Sequence, residues 1–148
     1  MIRPAIESDV PELLGMIRQL ADFEDMADQV VCTEDHLRHA LFGPGAIVHD
    51  TVAVAEDGSL AGHALWFRTF STFLGRTGIW LEDLYVHPAD RRQGHAGALM
   101  AALRTETTGR VEWEVLEWND EAIGFYQRLG ARPMTGWTKY RWTDGSQP

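Results

Sequence analysis

Asp90-Arg91-Arg92-Gln93-Gly94-His95-Ala96-Gly97 lies between a segment of strand character, Ile79 to Val86, and a helical one from about Gly94 to Thr108. Its composition suits an anion. Gly94, Ala96 and Gly97 let a ligand approach the backbone closely, the first amides of the helix point outward without intrahelical partners, and Arg91 and Arg92 add positive charge. A dinucleotide fingerprint would place Gly-x-Gly-x-x-Gly directly after the strand, with an acid about 20 residues further on, and that spacing is missing. The Gly-Lys-Ser/Thr of a P-loop is missing as well. The plain alternative is a loop whose glycines merely turn the chain.

Downstream of this loop, the helix is closed by Gly109 and leads to the alternating strand Val111, Trp113, Val115. Asn119 then caps a helix carrying Ile123, Tyr126 and Leu129 that ends at Gly130, and Lys139 to Trp142 form a last strand. Upstream, residues 71 to 78 form a loop before Ile79. Strands at Val48 to Ala55 and Leu60 to Phe70 are joined through Glu56-Asp57-Gly58-Ser59 as an antiparallel hairpin. Before Ile47 the apolar period is helical. Asp9 and Glu12 make a capping box with Pro11 in the first turn, and Val10, Leu13, Leu14, Ile17, Leu20 and Ala21 define a helix to about residue 22. After a loop at 23 to 32, Thr33 caps a helix bearing Leu37, Ala40 and Leu41 that stops at Gly43-Pro44. The order α, α, β, β, β, α, β, α, β predicts an α/β fold, a mixed and mostly antiparallel sheet with flanking helices whose later strands are joined by right-handed crossovers.

With 148 residues, 45% of them apolar and 24% charged, the chain is expected to form one domain over residues 1–148. No apolar run approaches the roughly 20 residues of a membrane helix, and the charged N-terminal stretch does not read as a signal peptide, so a cytoplasmic location is expected. Cys32 is the only cysteine, which excludes an internal disulfide and any multi-cysteine metal site. His36 and His39, the one close histidine pair, read as surface residues, and no metal is expected. The net charge of −9 argues against nucleic acid and anionic membrane as partners and favours a small cation. Acids are concentrated between residues 7 and 35, where Arg18 is the only base.

Arg91-x-x-Gly94-x-Ala96 after the strand Leu81-Glu82-Asp83-Leu84-Tyr85-Val86 resembles the acyl-CoA pyrophosphate motif of the GNAT N-acetyltransferases. The likeness extends to IRPA at the start, to LADFEDMADQVVCTEDHL, and to Trp118-Asn119 followed by Gly124-Phe125-Tyr126-Gln127-Arg128-Leu129-Gly130-Ala131. Together these resemble the diamine (spermidine/spermine) and thialysine branch and cover essentially the whole chain. The resemblance implies acetyl-CoA as co-substrate, bound in a split between the parallel strands Ile79 to Val86 and Val111 to Leu116. It implies that Leu84, Tyr85 and Val86 face the pantetheine arm and that Arg91, Arg92, Gln93, Gly94, His95, Ala96 and Gly97 wrap the pyrophosphate. Asn119 and Ala122 would lie near the thiol. Tyr126 would contact the cofactor and hand a proton to the departing thiolate, and Glu82 would deprotonate the amine. Phe23, Glu24, Glu82 and Asp83 would border the acceptor, and a homodimer is implied.

The chemistry needs such groups. An amine with a pKa of about 10.4 is only about 0.1% neutral near pH 7.4, a cost of about 4 kcal/mol, and only the neutral form attacks a thioester. A carboxylate or its bound water removes that proton, and a hydroxyl within hydrogen-bond reach eases thiolate departure. The segment Ser71-Thr72-Phe73 stands where polyamine enzymes of the branch carry an acid, so it looks more like the thialysine type. A catalytically idle acyl-CoA-binding module and an enzyme acting on a peptide or protein amine are the other readings.

Overall fold

The computed structural model describes residues 1–145. The strands are β1 (Ile2–Pro4), β2 (Val48–Val54), β3 (Leu60–Ser71), β4 (Arg76–Val86) and β5 (Val111–Glu112). The helices are α1 (Val10–Phe23), α2 (Glu34–Phe42), α3 (His95–Thr105) and α4 (Asp120–Arg128). The strands form one sheet in the order β1-β2-β3-β4-β5, antiparallel throughout except for the parallel pair β4 and β5. The chain divides into two compact units, Met1–Trp113 and a second that begins at Glu114.

One sheet face is covered by α1 and α2. Val10, Leu13, Leu14 and Met16 of α1 and Leu37 of α2 pack with Val52, Val54, Leu60, Leu65 and Tyr85 of the sheet. Their spacing of three and four puts the α1 residues on one stripe, and that burial holds the helix in place more than propensity does. Strand alternation buries Ala53, Ala64, Trp66 and Leu81 on the other face, to which α3 brings Leu99, Met100 and Leu103 as it packs on β2, β3 and β4. Leu13 is fully buried, and Leu13→Ala is expected to cost about 2–5 kcal/mol, read as a lower urea midpoint at unchanged slope.

Thr33 caps α2, its hydroxyl accepting from the His36 N–H at 3.2 Å, and Gly43 ends that helix, as the sequence predicts. The capping box at the start of α1 is not formed. The Asp9 carboxylate accepts from Arg3 at 2.6 and 3.1 Å and from the Ile6 N–H at 2.9 Å, while Glu12 accepts from the Leu60 N–H at 3.3 Å. Arg3 thus fastens β1, a strand too short and too polar for its periodicity to announce it, to the start of α1. Burial alone would raise the Asp9 pKa, but the Arg3 and Ile6 hydrogen bonds and the Arg3 charge outweigh it and leave it lowered.

Other boundaries differ from expectation. β4 begins at Arg76 because Thr77 and Gly78 still pair with Phe70 and Thr69, so the predicted loop at 71 to 78 is a tight hairpin connection. The helix that follows ends at Thr105. The strand expected through Val115 ends at Glu112, because only Val111 and Glu112 find partners on β4, at Ile79 and Trp80. That pairing starts where two backbones nearly touch. A Cβ on Gly78 would stand 2.6 Å from the Arg110 carbonyl oxygen, and one on Gly109 would stand 2.2 Å from that of Thr77.

In the second unit, Asn119 caps α4 by accepting from the Ala122 N–H at 3.2 Å, and Gly130 follows the helix with φ 85°. Lys139 to Trp142 are not a strand. Trp137, Tyr140 and Trp142 are exposed, and their β propensity has no cross-strand neighbour among the described residues to act on.

Candidate active site

The loop singled out by the sequence forms the entrance to α3. After a turn of 3-10 helix at Pro88–Asp90, Arg91 returns its guanidinium Nε to the Val86 carbonyl at 3.2 Å, and the Gln93 side chain donates to the Ala89 carbonyl at 3.2 Å. Arg92 takes φ 64°, a left-handed conformation uncommon outside glycine, and Gly94 caps the helix at φ 86°. The first backbone bond of α3 runs from Ala98 N–H to Gly94 O. The amides of His95, Ala96 and Gly97 therefore precede the intrahelical ladder. Nothing lies within 4 Å of a Cβ built on Gly94 or Gly97, and Arg91 to Gly94 are exposed. The result is an exposed, uncrowded loop of amides and guanidinium groups at the positive end of a helix dipole, chemistry that suits a pyrophosphate.

Leu84, Tyr85 and Val86 lead into this loop along an edge of β4. The parallel ladder with β5 stops at Trp80, so from Leu81 to Val86 the strand keeps ladder pairing with β3 alone. An extended ligand arm can add to such an edge as a strand would. The Tyr85 ring is buried and its hydroxyl donates to Gln19 of α1 at 2.9 Å, so it is the backbone of Tyr85 that is placed for this role.

In the same strand a bulge rearranges the acids. Leu65 pairs with Asp83 and Trp66 with Leu81, leaving Glu82 unpaired in the ladder. The Trp80 indole donates to Glu82 at 2.8 Å. Trp80 stands opposite Phe67, which shares a face with Leu65 and hence with Asp83. Two consecutive carboxylates thus project from one face, where a regular strand would send them to opposite sides.

Glu82 is exposed and Asp83 half-buried. Burial pushes the Asp83 carboxyl up to about 6. The charge of His63 opposes this shift, while Glu82, Asp50 and Glu24 add to it. Glu24 belongs to the turn that ends α1. There the Asp25 N–H bonds to Asp22 O and the Met26 N–H to Ala21 O, with Asp25 in the left-handed region at φ 56°. This turn sets Phe23, which is exposed, beside half-buried Glu24, whose pKa burial raises. Glu24, Glu82 and Asp83 therefore make up one acidic neighbourhood.

Two further groups belong to it and went unnoticed in the sequence, Asp50 and His63. Both are buried, and the His63 Nδ1 lies 2.9 Å from the Asp50 Oδ2. The available signal was a charged residue in each of two strand segments that are otherwise largely apolar. In the second unit Tyr126 is half-buried on α4, its ring 5.3 Å from that of Phe125. Asn119 and Ala122 spend their polar groups on each other as the α4 cap.

A mixed sheet whose parallel pairing is confined to Ile79 with Val111 and Trp80 with Glu112, followed by a helix entrance of free amides and arginines at the end of β4, has the architecture of an acetyltransferase fold. The chain belongs to the GNAT acetyltransferase family, whose model matches residues 14–131, and is an N-acetyltransferase of that family. It is 34% identical to a thialysine N-epsilon-acetyltransferase of Sus scrofa, over 95% of this chain and 91% of that protein. It is 27% identical to an L-ornithine N5-acetyltransferase of Arabidopsis thaliana, over 96% of this chain and 83% of that protein. In fold it matches a solved structure described as a probable acetyltransferase, with a TM-score of 0.83, 20% identity and 99% of each chain covered.

Proposed function

We propose that this enzyme transfers an acetyl group from acetyl-CoA to a primary amine of a small cationic acceptor, a diamine, polyamine or lysine-like amino acid, by direct attack. The observation that carries this reading is the bulge that turns Glu82 and Asp83 to one face beside Glu24. Acetyl-CoA supplies the activated acetyl thioester. Arg91, Arg92, Gln93, Gly94, His95, Ala96 and Gly97 hold its pyrophosphate, the backbone of Leu84, Tyr85 and Val86 holds its pantetheine arm, and the family likeness assigns Asn119 and Ala122 to the thiol end.

The acceptor arrives as a dication or trication among Phe23, Glu24, Glu82 and Asp83. A proton must leave the reacting ammonium before its nitrogen lone pair bonds to the carbonyl carbon. The adjacent carboxylates Glu82 and Asp83 receive that proton, directly or through water. Asp83, with its carboxyl near 6, is matched to proton uptake near neutral pH. After attack the nitrogen releases its second proton to water, and as the carbon–sulfur bond breaks the Tyr126 hydroxyl gives its proton to the thiolate and is reprotonated from solvent.

Saturation curves for cadaverine and pentylamine test the acceptor class. KM for cadaverine is expected to rise with salt, as the screening length falls from about 10 Å at 0.1 M to about 3 Å at 1 M, and KM for pentylamine much less. Glu24→Gln is expected to raise KM for cadaverine more than for pentylamine, because only the diamine has a remote charge to lose. Equal use of both amines, indifferent to salt and to Glu24→Gln, would sink the cationic-acceptor reading. Release of CoA with peptide amines alone would favour a protein substrate.

A further inference from the structure

Asp50, His63 and Asp83 come from three adjacent strands, and the sheet register decides how they meet. Asp50 stands opposite Leu65, and Leu65 opposite Asp83, in one row across the sheet. In the neighbouring row Val52, His63 and Tyr85 stand opposite one another. All six point to the face covered by α1, so His63 is the diagonal neighbour of both acids, a separation that side chains of this length can span. On the Asp50 side it does so, at 2.9 Å, with neither side chain exposed.

The His63 Nε2 and the Asp50 Oδ1 are buried without a hydrogen-bond partner among the described residues. A lone buried imidazole and a lone buried carboxylate would each be costly at this depth, and they are tolerable as an ion pair. Burial pushes the His63 pKa down, but the Asp50 charge and hydrogen bond, with Asp83 behind them, outweigh it and leave it raised. Every other ionisable group the structure couples to Asp83 is acidic or a thiol. Glu82 is on its own strand, Asp50 on β2, Glu24 at the end of α1, and Cys32 on the segment before α2, where Arg18 of α1 also acts on the thiol. Among the described residues, it is the His63 charge that favours ionised Asp83.

We propose that the buried Asp50–His63 pair is a positioning element for acetyl transfer, its imidazolium holding the Asp83 carboxylate ionised among the surrounding acids so that it can take up the ammonium and its proton. Without that cation, burial and the charges of Glu82, Asp50 and Glu24 would push the Asp83 carboxyl higher still. The inference rests on the acceptor reading above, and its test has one arm that needs no turnover.

In the first arm, His63→Gln moves the acidic limb of the kcat/KM profile for cadaverine upward from near 6 by about one pH unit, a loss of about fivefold at pH 6 that approaches about tenfold at lower pH and fades above pH 8. Asp50→Asn moves it less, because it removes a repulsive charge from Asp83 together with the cation's partner. A merely structural role would lower the whole profile without moving the limb. In the second arm, the His63 imidazole is followed by NMR in wild type and Asp83→Asn, its resonance assigned by loss in His63→Gln. Its titration midpoint lies above the ordinary imidazole value in wild type and falls in Asp83→Asn, since two coupled groups shift each other. A midpoint indifferent to Asp83, or an imidazole already neutral at pH 7, overturns the proposal whatever the enzyme acetylates. If no amine is acetylated while the imidazole midpoint falls as stated, the acceptor reading fails and the electrostatic coupling stands.

Discussion

Tyr126→Phe is expected to lower kcat by about 10² or more with little change in acetyl-CoA affinity, because a proton donor to the departing thiolate acts on the transition state and not on ground-state binding. The substitution removes one oxygen and keeps the ring that lies 5.3 Å from Phe125, so the packing of α4 is preserved. Stopped-time assays of CoA release give kcat, and calorimetry gives the affinity. A folded variant with wild-type kcat would remove Tyr126 from the chemistry. A variant that loses kcat, affinity and melting temperature together would make the residue a core aromatic, the simplest reading of its spacing with Ile123 and Leu129.

The other large effect is expected at the entrance to α3. Gly94→Glu puts a negative side chain into an open space, since among the described residues nothing beyond the chain neighbours lies within 4 Å of a Cβ there. Its expected damage is therefore electrostatic. Like-charge juxtaposition with a pyrophosphate costs several kcal/mol, which corresponds to a loss of acetyl-CoA affinity of about 10² or more. Gly94→Ala carries the same strain at φ 86° without the charge, and its loss is expected to be several-fold only. Calorimetric titration of both variants with acetyl-CoA separates the two contributions. Unchanged affinity in Gly94→Glu would show that the pyrophosphate lies elsewhere.

How far the sequence discloses this molecule depends on the range of each interaction. Thr33 and Asn119 were legible as helix caps because each acts on an amide three residues away. The loop from Arg91 to Gly97 was legible for the same reason, its amides and charges being consecutive. The bulge was not. Leu81-Glu82-Asp83-Leu84 reads as a regular strand, and only the partner strand, which opposes Leu65 to Asp83 and Trp66 to Leu81, shows that both acids share a face. Asp50 and His63 were hidden similarly, since a histidine in an apolar strand signals nothing until its diagonal neighbours are known. Asp9 misled in the opposite direction. Its spacing to Glu12 fits a capping box, but Arg3, brought close by β1, takes the carboxylate. Trp113, Val115 and the aromatics at 137 to 142 have strand-like composition without strand structure, because that propensity expresses neighbours across a ladder more than anything in the backbone itself.

The stretch of β4 beyond Trp80 that lacks ladder pairing with β5 also bears on how copies of the protein behave in solution. A strand edge with free amides and carbonyls is a template on which another chain can zip, the first step of edge-to-edge aggregation. This edge carries its own deterrent. The bulge at Glu82 breaks the straight register that a second strand would need, and the adjacent carboxylates would meet their own kind on an approaching copy of a chain with net charge −9. Neutralising the acids proposed to gather a cationic amine is therefore expected to lower the barrier to pairing at this edge at the same stroke, a cost to anyone altering the substrate.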